Sequence, residues 1–324
     1  MKAFTRIIGA AALSALTLAL TSATSEPERQ AISIGILSDA DSVPLLVAEA
    51  EGLYDAEGVE VRLVRFKSAV ERDAAIQAGA IDGAISDLVA VALASQAGID
   101  LRVASMTDGR YGIVAAPGSG IDSLATLGDA RVGISSSTII QYAAETLLAR
   151  AGLRVDSART IAVPNIQLRM ELLLSGQLKA ACLPEPLLSA ARARGAVLLA
   201  STSSSSSTSG LGSSLDAGVL AFRKESLDGK LDEIAAFYRA YRAAARIINE
   251  NNAKYRDFLV DKAQFPKEVR DSYEFVVYKR PRLPTSAEIA AVFVWMQGKG
   301  LASPDLNAAR LIDGRALERA FGGW

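Results

Sequence analysis

Hydroxyl and carboxylate side chains gather at three places directly after short apolar runs. Ser38, Asp39 and Asp41 follow Ile34-Gly35-Ile36-Leu37, Ser86 and Asp87 follow Ile85, and Ser135, Ser136, Ser137 and Thr138 follow Val132-Gly133-Ile134. The first and third clusters precede a helical period, and the second closes a strand. A helix start leaves unpaired N–H groups and a partial positive charge, so such a turn suits an anion or a carbonyl. The same side chains can instead cap the helix, and capping needs only one of them. The helix dipole adds about 0.3–1 kcal/mol, up to about 2 when partly buried. A micromolar ligand needs about 8 kcal/mol, so several groups must converge. Four more candidates stand apart. Arg110 offers a fixed cation beside Tyr111, whose ring can stack on a flat ligand. Asn165 sits in the Val163-Pro164-Asn165 turn. Glu185 precedes Pro186 and can accept from a ligand amine or fix a hinge.

This chemistry is that of binding rather than catalysis. The chain of 324 residues contains no histidine, and its only cysteine is Cys182. His-based acid–base chemistry, Ser-His-Asp and Cys-His nucleophiles, Cys/His zinc sites and intrachain disulfides are excluded together. Cys182, in an apolar run, reads as a small buried residue. Lys and Arg number 35 against 36 Asp and Glu, without the basic excess of a nucleic-acid binder. Half the residues are hydrophobic, enough for a sizeable core.

The elements that must hold these turns repeat about 98 residues apart. Val132-Gly133-Ile134 echoes Ile34-Gly35-Ile36 at an offset of 98. Ser175-Gly176-Gln177-Leu178-Lys179-Ala180-Ala181 echoes Ala78-Gly79-Ala80-Ile81-Asp82-Gly83-Ala84 at 97. Helices are expected at about Val43–Glu51 and Ile139–Ala151. Short strands alternating with helices argue for parallel-type sheets covered on both faces, in two α/β lobes. Ligands of such sheets sit beyond the carboxyl ends of the strands. Facing lobes would bring together the loops Ser38–Asp41, Ser86–Asp87, Ser135–Thr138 and Pro184–Pro186.

Three segments lie outside this pattern. Lys2 and Arg6, the apolar run Ile7–Leu20 and the small residues Thr21, Ser22 and Ala23 describe a cleaved secretory signal over residues 1–24. The apolar run is shorter than the roughly 20 residues a spanning helix needs. The mature chain then carries a net charge of −3 and is expected in the periplasm. Helices are also expected over Leu231–Asn249 and Ser286–Lys299, packed on the first lobe, with Thr285 or Ser286 as a cap. The run Ser201–Ser209 reads as a loop or flexible crossing.

Several pieces, taken in order and spacing, carry a family resemblance. They are Val43-Pro44, Glu51-Gly52-Leu53-Tyr54, Glu57-Gly58-Val59-Glu60-Val61, Ala78-Gly79 with Ile81-Asp82-Gly83-Ala84, and Asp122-Ser123-Leu124-Ala125-Thr126-Leu127. Val132-Gly133-Ile134, Ala151-Gly152-Leu153, Leu174-Ser175-Gly176-Gln177 and Glu185-Pro186 complete the set. The chain resembles the nitrate/taurine/sulfonate and thiamine-precursor group of ABC-importer solute-binding proteins, from Ile32 to Phe222 and more loosely through the tail. The resemblance implies a type II periplasmic-binding fold: two α/β lobes joined by a hinge, with the ligand cleft between them. Lobe one would comprise residues 31–112 plus 216–324 and lobe two residues 113–215, with crossings near Tyr111–Ala116 and Ser213–Ala221. It implies delivery of a small molecule to a membrane permease. The ATPase would be a separate subunit, since this chain has no Gly-x-x-x-x-Gly-Lys-Ser/Thr loop. No cofactor, metal or nucleic acid is expected, and the chain reads as a monomer. Some relatives are biosynthetic or desulfinating enzymes that use His and Cys, and the missing histidine argues against that activity here. An exported sensing domain is the other alternative. The cargo stays open between a small oxyanion, which the hydroxyls and Arg110 favour, and a pyrimidine-like nitrogen heterocycle, which Asp39, Asp87 and Glu185 favour.

Overall fold

The computed structural model describes residues 30–156, 159–202, 215 and 217–322. The signal segment and residues 203–209 of the serine run lie outside the described residues. Among the described residues ten strands form two five-stranded sheets. The first sheet holds β1 (Ile32–Ile36), β2 (Val61–Arg65), β3 (Gly83–Asp87), β4 (Leu101–Met106) and a late strand, β10 (Gly218–Arg223), in the order β2-β1-β3-β10-β4. The second holds β5 (Tyr111–Ala115), β6 (Val132–Ile134), β7 (Thr160–Ala162), β8 (Ala180–Pro184) and β9 (Val197–Ser201), in the order β7-β6-β8-β5-β9.

The two orders are one topology, and the sequence echo falls on equivalent positions. Gly35 pairs with Ala84 and Gly133 with Ala181. A Cβ on Gly35 would meet the Ile81 Cδ1 at 2.7 Å, and one on Gly133 the Leu178 Cδ1 at 2.8 Å. Each glycine thus lets a neighbouring aliphatic side chain lie across its strand.

The sheets are mixed rather than parallel throughout. β1 runs parallel to β2 and β3, and β6 to β7 and β8, but β10 and β5 are antiparallel to their neighbours. The reason lies in where the chain crosses between sheets. β5 begins opposite the end of β8, with Tyr111 paired to Pro184, and β10 begins opposite the end of β3, with Gly218 paired to Asp87. Both crossing strands start at the facing edges of the sheets and run away from them.

Several boundaries differ slightly from expectation. The first strand starts two residues earlier than Ile34. The helices span Val43–Ala50, Ile139–Arg150, Leu231–Glu250 and Ser286–Gly298. In the long helix Ile234, Phe237, Tyr238, Tyr241, Ala245 and Ile248 are all buried. It packs on Val43–Ala50, and Tyr54 stacks on Phe237 at 5.9 Å between ring centroids. These aromatics serve the core, each contributing about 1.5–3 kcal/mol of burial. Thr285 caps Ser286–Gly298 through a reciprocal bond pair with Glu288. That helix packs on Leu88–Gln96 of the first sheet's layer and also reaches the helix Ile139–Arg150 of the second.

Candidate functional site

The strand ends of the two sheets face one another across a small cavity of about 40 Å³. One water molecule needs roughly 10–15 Å³ on this measure, so the space suits a compact ligand. Asp39, Ser86, Asp87, Tyr111, Ser135 and Thr138 line it, together with Asp41 and Arg72. Ser38, Arg110, Ser136, Ser137, Asn165 and Glu185 lie outside that lining.

Local capping chemistry places the lining groups. Asp39 Oδ1 accepts from the Ser42 N–H at 3.0 Å and from its hydroxyl at 2.7 Å. Asp87 Oδ1 accepts from the Ala90 N–H at 2.9 Å and so starts the helix Leu88–Gln96. Thr138 accepts from the Ile140 N–H at 3.2 Å and donates to the Ser135 carbonyl at 2.9 Å. Tyr111 donates from its hydroxyl to Asp41 Oδ2 at 3.4 Å, linking the second sheet to the first. Capping and cavity lining therefore coexist in the same residues, because a side chain that caps a helix at a strand end also faces what lies beyond it.

The electrostatics are acidic. Asp39, Asp41 and Asp87 are buried, and Arg72 is the one cation in the lining. Burial, reinforced by Asp39, pushes the Asp41 carboxyl up to about 7. Burial raises Asp87 to about 6, with Arg72 opposing, and raises Asp39 against the bonds from Ser42. Burial lowers Arg72, but Asp73 and Asp87 outweigh it and leave the guanidinium above its usual value. Arg72 Nη2 lies 2.7 Å from Asp73 and 4.0 Å from Asp87. The N–H of Ile139, at the start of its helix, draws Asp87 back toward ionisation. The helix start that was expected to receive an oxyanion thus already faces a carboxylate of the chain itself. Asp41 Oδ1 and Ser86 Oγ are buried with no partner at hydrogen-bond distance, and both residues line the cavity. The Thr107 hydroxyl and the Gly109 N–H act on the Asp41 carboxyl and oppose its upward shift.

The remaining candidates have other partners. Arg110 donates through Nη2 to the Glu274 carbonyl, which turns its guanidinium toward the tail. Glu185 accepts from the Ser189 N–H at 3.1 Å, and burial raises its carboxyl with Arg110 opposing. Its carbonyl accepts from the Ala40 N–H at 3.1 Å, a bond between the two sheets' loops. Asn165 caps its own helix through the Leu168 N–H at 2.9 Å. The Ser137 N–H donates to Gln141 at 2.7 Å. Ser38 is half-buried and Ser136 exposed.

Arg72 is absent from the sequence reading. It sits four residues before the buried Ile76 and so shares its helix face, whereas Val70 is exposed. An arginine on the apolar face of a helix is the signal that marks it. At an offset of 97 stands Arg169, fully buried, donating to the Val163 and Cys182 carbonyls at 2.9 and 2.8 Å and to the Ser135 hydroxyl. Ser68 and Asn165 cap the two equivalent helices. One lobe's arginine faces the cavity, and the other braces the wall behind Ser135.

The family model described as NMT1/THI5 like matches residues 39–254, 216 of the 324. The chain belongs to the NMT1/THI5-like family. No curated protein matches the sequence. Among solved structures the chain resembles a ligand-binding component of an ABC-type import system from Staphylococcus aureus with zinc bound (TM-score 0.74, 17% identity, covering 90% of this chain and 99% of that one). It resembles the alkanesulfonate-binding protein SsuA from Xanthomonas axonopodis pv. citri bound to MOPS (0.72, 17%, 87% and 98%). It also resembles the nitrate-binding protein NrtA from Synechocystis PCC 6803 (0.71, 15%, 90% and 88%). A desulfurization enzyme, DSZB, shares the fold more distantly (0.62, 14%, 90% and 99%). The NMT1/THI5-like chain thus has the periplasmic-binding-protein fold that its sequence pattern implies. Among its described residues no group of three or more His, Cys, Asp or Glu is placed to hold a metal ion, and no helix is long and apolar enough to cross a membrane.

Proposed function

We propose that this chain is the solute-binding subunit of an ABC importer, and that its cargo is a compact N–H-bearing base, neutral or protonated. The observation that carries the reading is the pair of buried, unpartnered polar atoms at the cavity, Asp41 Oδ1 and Ser86 Oγ, beside two further carboxylates and one guanidinium. Buried polar atoms without partners call for a ligand or an ordered water. A ligand N–H supplies what Asp41 lacks, and a positive charge offsets the excess of acid. A nitrate or sulfonate would meet Asp39, Asp41 and Asp87 with only Arg72 to receive it.

Capture works by hinge closure. The units 31–112 plus 216–324 and 113–215 move about the crossings, and contacts made only when closed favour that state. The mature protein acts in the periplasm after loss of residues 1–24 and passes its load to a permease with a separate ATPase. Catalysis is disfavoured by the residues themselves: the chain has no histidine, and burial raises the Cys182 thiol to about 12, which leaves no thiolate at neutral pH.

A thermal-shift screen of residues 25–324 tests the reading. One arm holds nitrate, bicarbonate, taurine and an alkanesulfonate. The other holds hydroxymethylpyrimidine, aminopyrimidines and small amidinium and guanidinium salts. A ligand at a hundred times its dissociation constant adds about 2.7 kcal/mol, or roughly 4 °C for about 300 residues. The second arm should give the shifts, Asp41→Asn should remove them, and Arg110→Ala should leave them in place. Stabilisation confined to the oxyanion arm refutes the cargo class. A folded sample that responds to neither arm removes the support for capture.

A further inference from the structure

The helix Ser286–Gly298 is anchored in the first sheet's unit. It packs on Leu88–Gln96, the Met106 N–H donates to the Arg282 carbonyl at 2.7 Å, and Gln96 bonds the Leu301 carbonyl at 2.8 Å and the Ser303 N–H at 2.6 Å. Yet the side chains of Trp295 and of Lys299, the residue that follows the helix, end on the other unit. The Trp295 indole donates to Glu145 Oε2 at 2.8 Å, and the Lys299 ammonium lies 2.8 Å from the same oxygen. The Trp295 ring also meets Tyr142 edge-on at 5.5 Å. Glu145 and Tyr142 belong to Ile139–Arg150, the helix whose first turn borders the cavity.

Glu145 is only 2% exposed. Within its own helix it finds a single neutral donor, Gln141, at 2.9 Å. The charge that compensates it, Lys299, comes from the opposite unit. A buried carboxylate is costly unless paired, so this arrangement belongs to the state in which the two units are together. The network continues toward the ligand site. Gln141 accepts from the Ser137 N–H at 2.7 Å, and Ser137 has a left-handed backbone, φ 56°, between the lining residues Ser135 and Thr138. A non-glycine residue in that region is held there by its surroundings.

We infer that Glu145 is a clasp and positioning residue. It ties Trp295 and Lys299 of the tail to the Ser135–Thr138 turn, so that lobe closure and the shape of that turn are set together. The inference rests on the hinged two-unit reading but not on the identity of the cargo, and the test needs no ligand.

Small-angle scattering of the mature protein decides it, comparing wild type with Glu145→Gln, Lys299→Met and the double variant. Bonds to a charged group are worth enough to shift the closed-to-open ratio roughly tenfold to a hundredfold. The radius of gyration should therefore rise in each single variant, and Lys299→Met should add little once Glu145→Gln is present. In a Trp324→Phe background Trp295 is the sole tryptophan, and acrylamide should quench it more strongly in Lys299→Met. A lower melting temperature with an unchanged radius of gyration overturns the inference and leaves Glu145 as a staple within the fold. Lys299 is partly exposed, so its variant carries the test if Glu145→Gln does not fold. Loss of solute capture would not disturb this result, and failure of the clasp would not disturb capture.

Discussion

Asp41→Asn should make the free protein more stable at alkaline pH and leave it unchanged at acid pH. Folded Asp41 titrates near 7, against 3.8 for the unperturbed side chain. Between those values the folded chain keeps a proton that the unfolded chain has released, so stability falls as pH rises. The whole span is worth about 4 kcal/mol, of which roughly 3 falls between pH 5 and 8. For about 300 residues that is a fall in Tm of roughly 4 °C. The window is favourable because the chain has no histidine. The carboxyls held low, Glu51, Asp82, Asp122, Asp228, Glu288 and Asp313, act with the opposite sign and only below their ordinary values. Asp87 and Glu185 share the sign of Asp41 and are present in both proteins. Asp39 shares it too, but it and Asp41 act on one another, so the difference between the curves reports the pair. Calorimetry of wild type and variant at pH 5, 6, 7 and 8 gives the two curves. The variant's advantage, already present at pH 5, should widen by roughly 4 °C between pH 5 and pH 8, and the curves should meet only below the ordinary carboxyl value of 3.8. Parallel curves, or a variant that is less stable at pH 8, would refute the assignment of a buried, proton-retaining carboxyl at this position. The same linkage acts on cargo. A cation that binds ionised Asp41 must displace its proton, so affinity should rise by up to about tenfold per pH unit below 7.

Arg169→Met removes donors to two buried carbonyls and to Ser135. It should cost about 3 kcal/mol, read as a lower urea midpoint with an unchanged slope. Thr285→Ala breaks the reciprocal bonds with Glu288. It should cost about 1 kcal/mol in the same measurement.

Much of the framework was legible because its signals are local. Gly35 and Gly133, the helix-ending Gly79 and Gly176, and the aromatic stripe of the long helix all act through neighbours a few residues away. The turns at Asp39, Ser86, Asp87, Ser135 and Thr138 were legible for the same reason. What escaped depends on distance. The guanidinium of Arg110 is turned by a carbonyl 164 residues away, which its place near a crossing does not reveal. Arg72 meets Asp87 only after a strand intervenes. β5 and β10 are antiparallel because of where they enter, which strand composition does not encode. Glu145 looks like any helical glutamate until Lys299 arrives from the tail, 154 residues later.

The placement of β10 between β3 and β4 also bears on how the chain assembles. All five strands of the second sheet lie within Tyr111–Ser201, so that sheet can form from one uninterrupted stretch. The first cannot. β3 and β4 have no direct partner in each other, and the strand that joins them comes only after the whole second sheet has been made. Closing so long an intervening loop is costly before its contacts repay it, and such pairings form slowly. Until β10 arrives, β3 and β4 keep facing edges of unpaired backbone, the kind of surface that recruits other chains. Late insertion of one six-residue strand is thus both the step that finishes the cavity wall at Asp87 and the interval in which the unfinished protein is most open to aggregation.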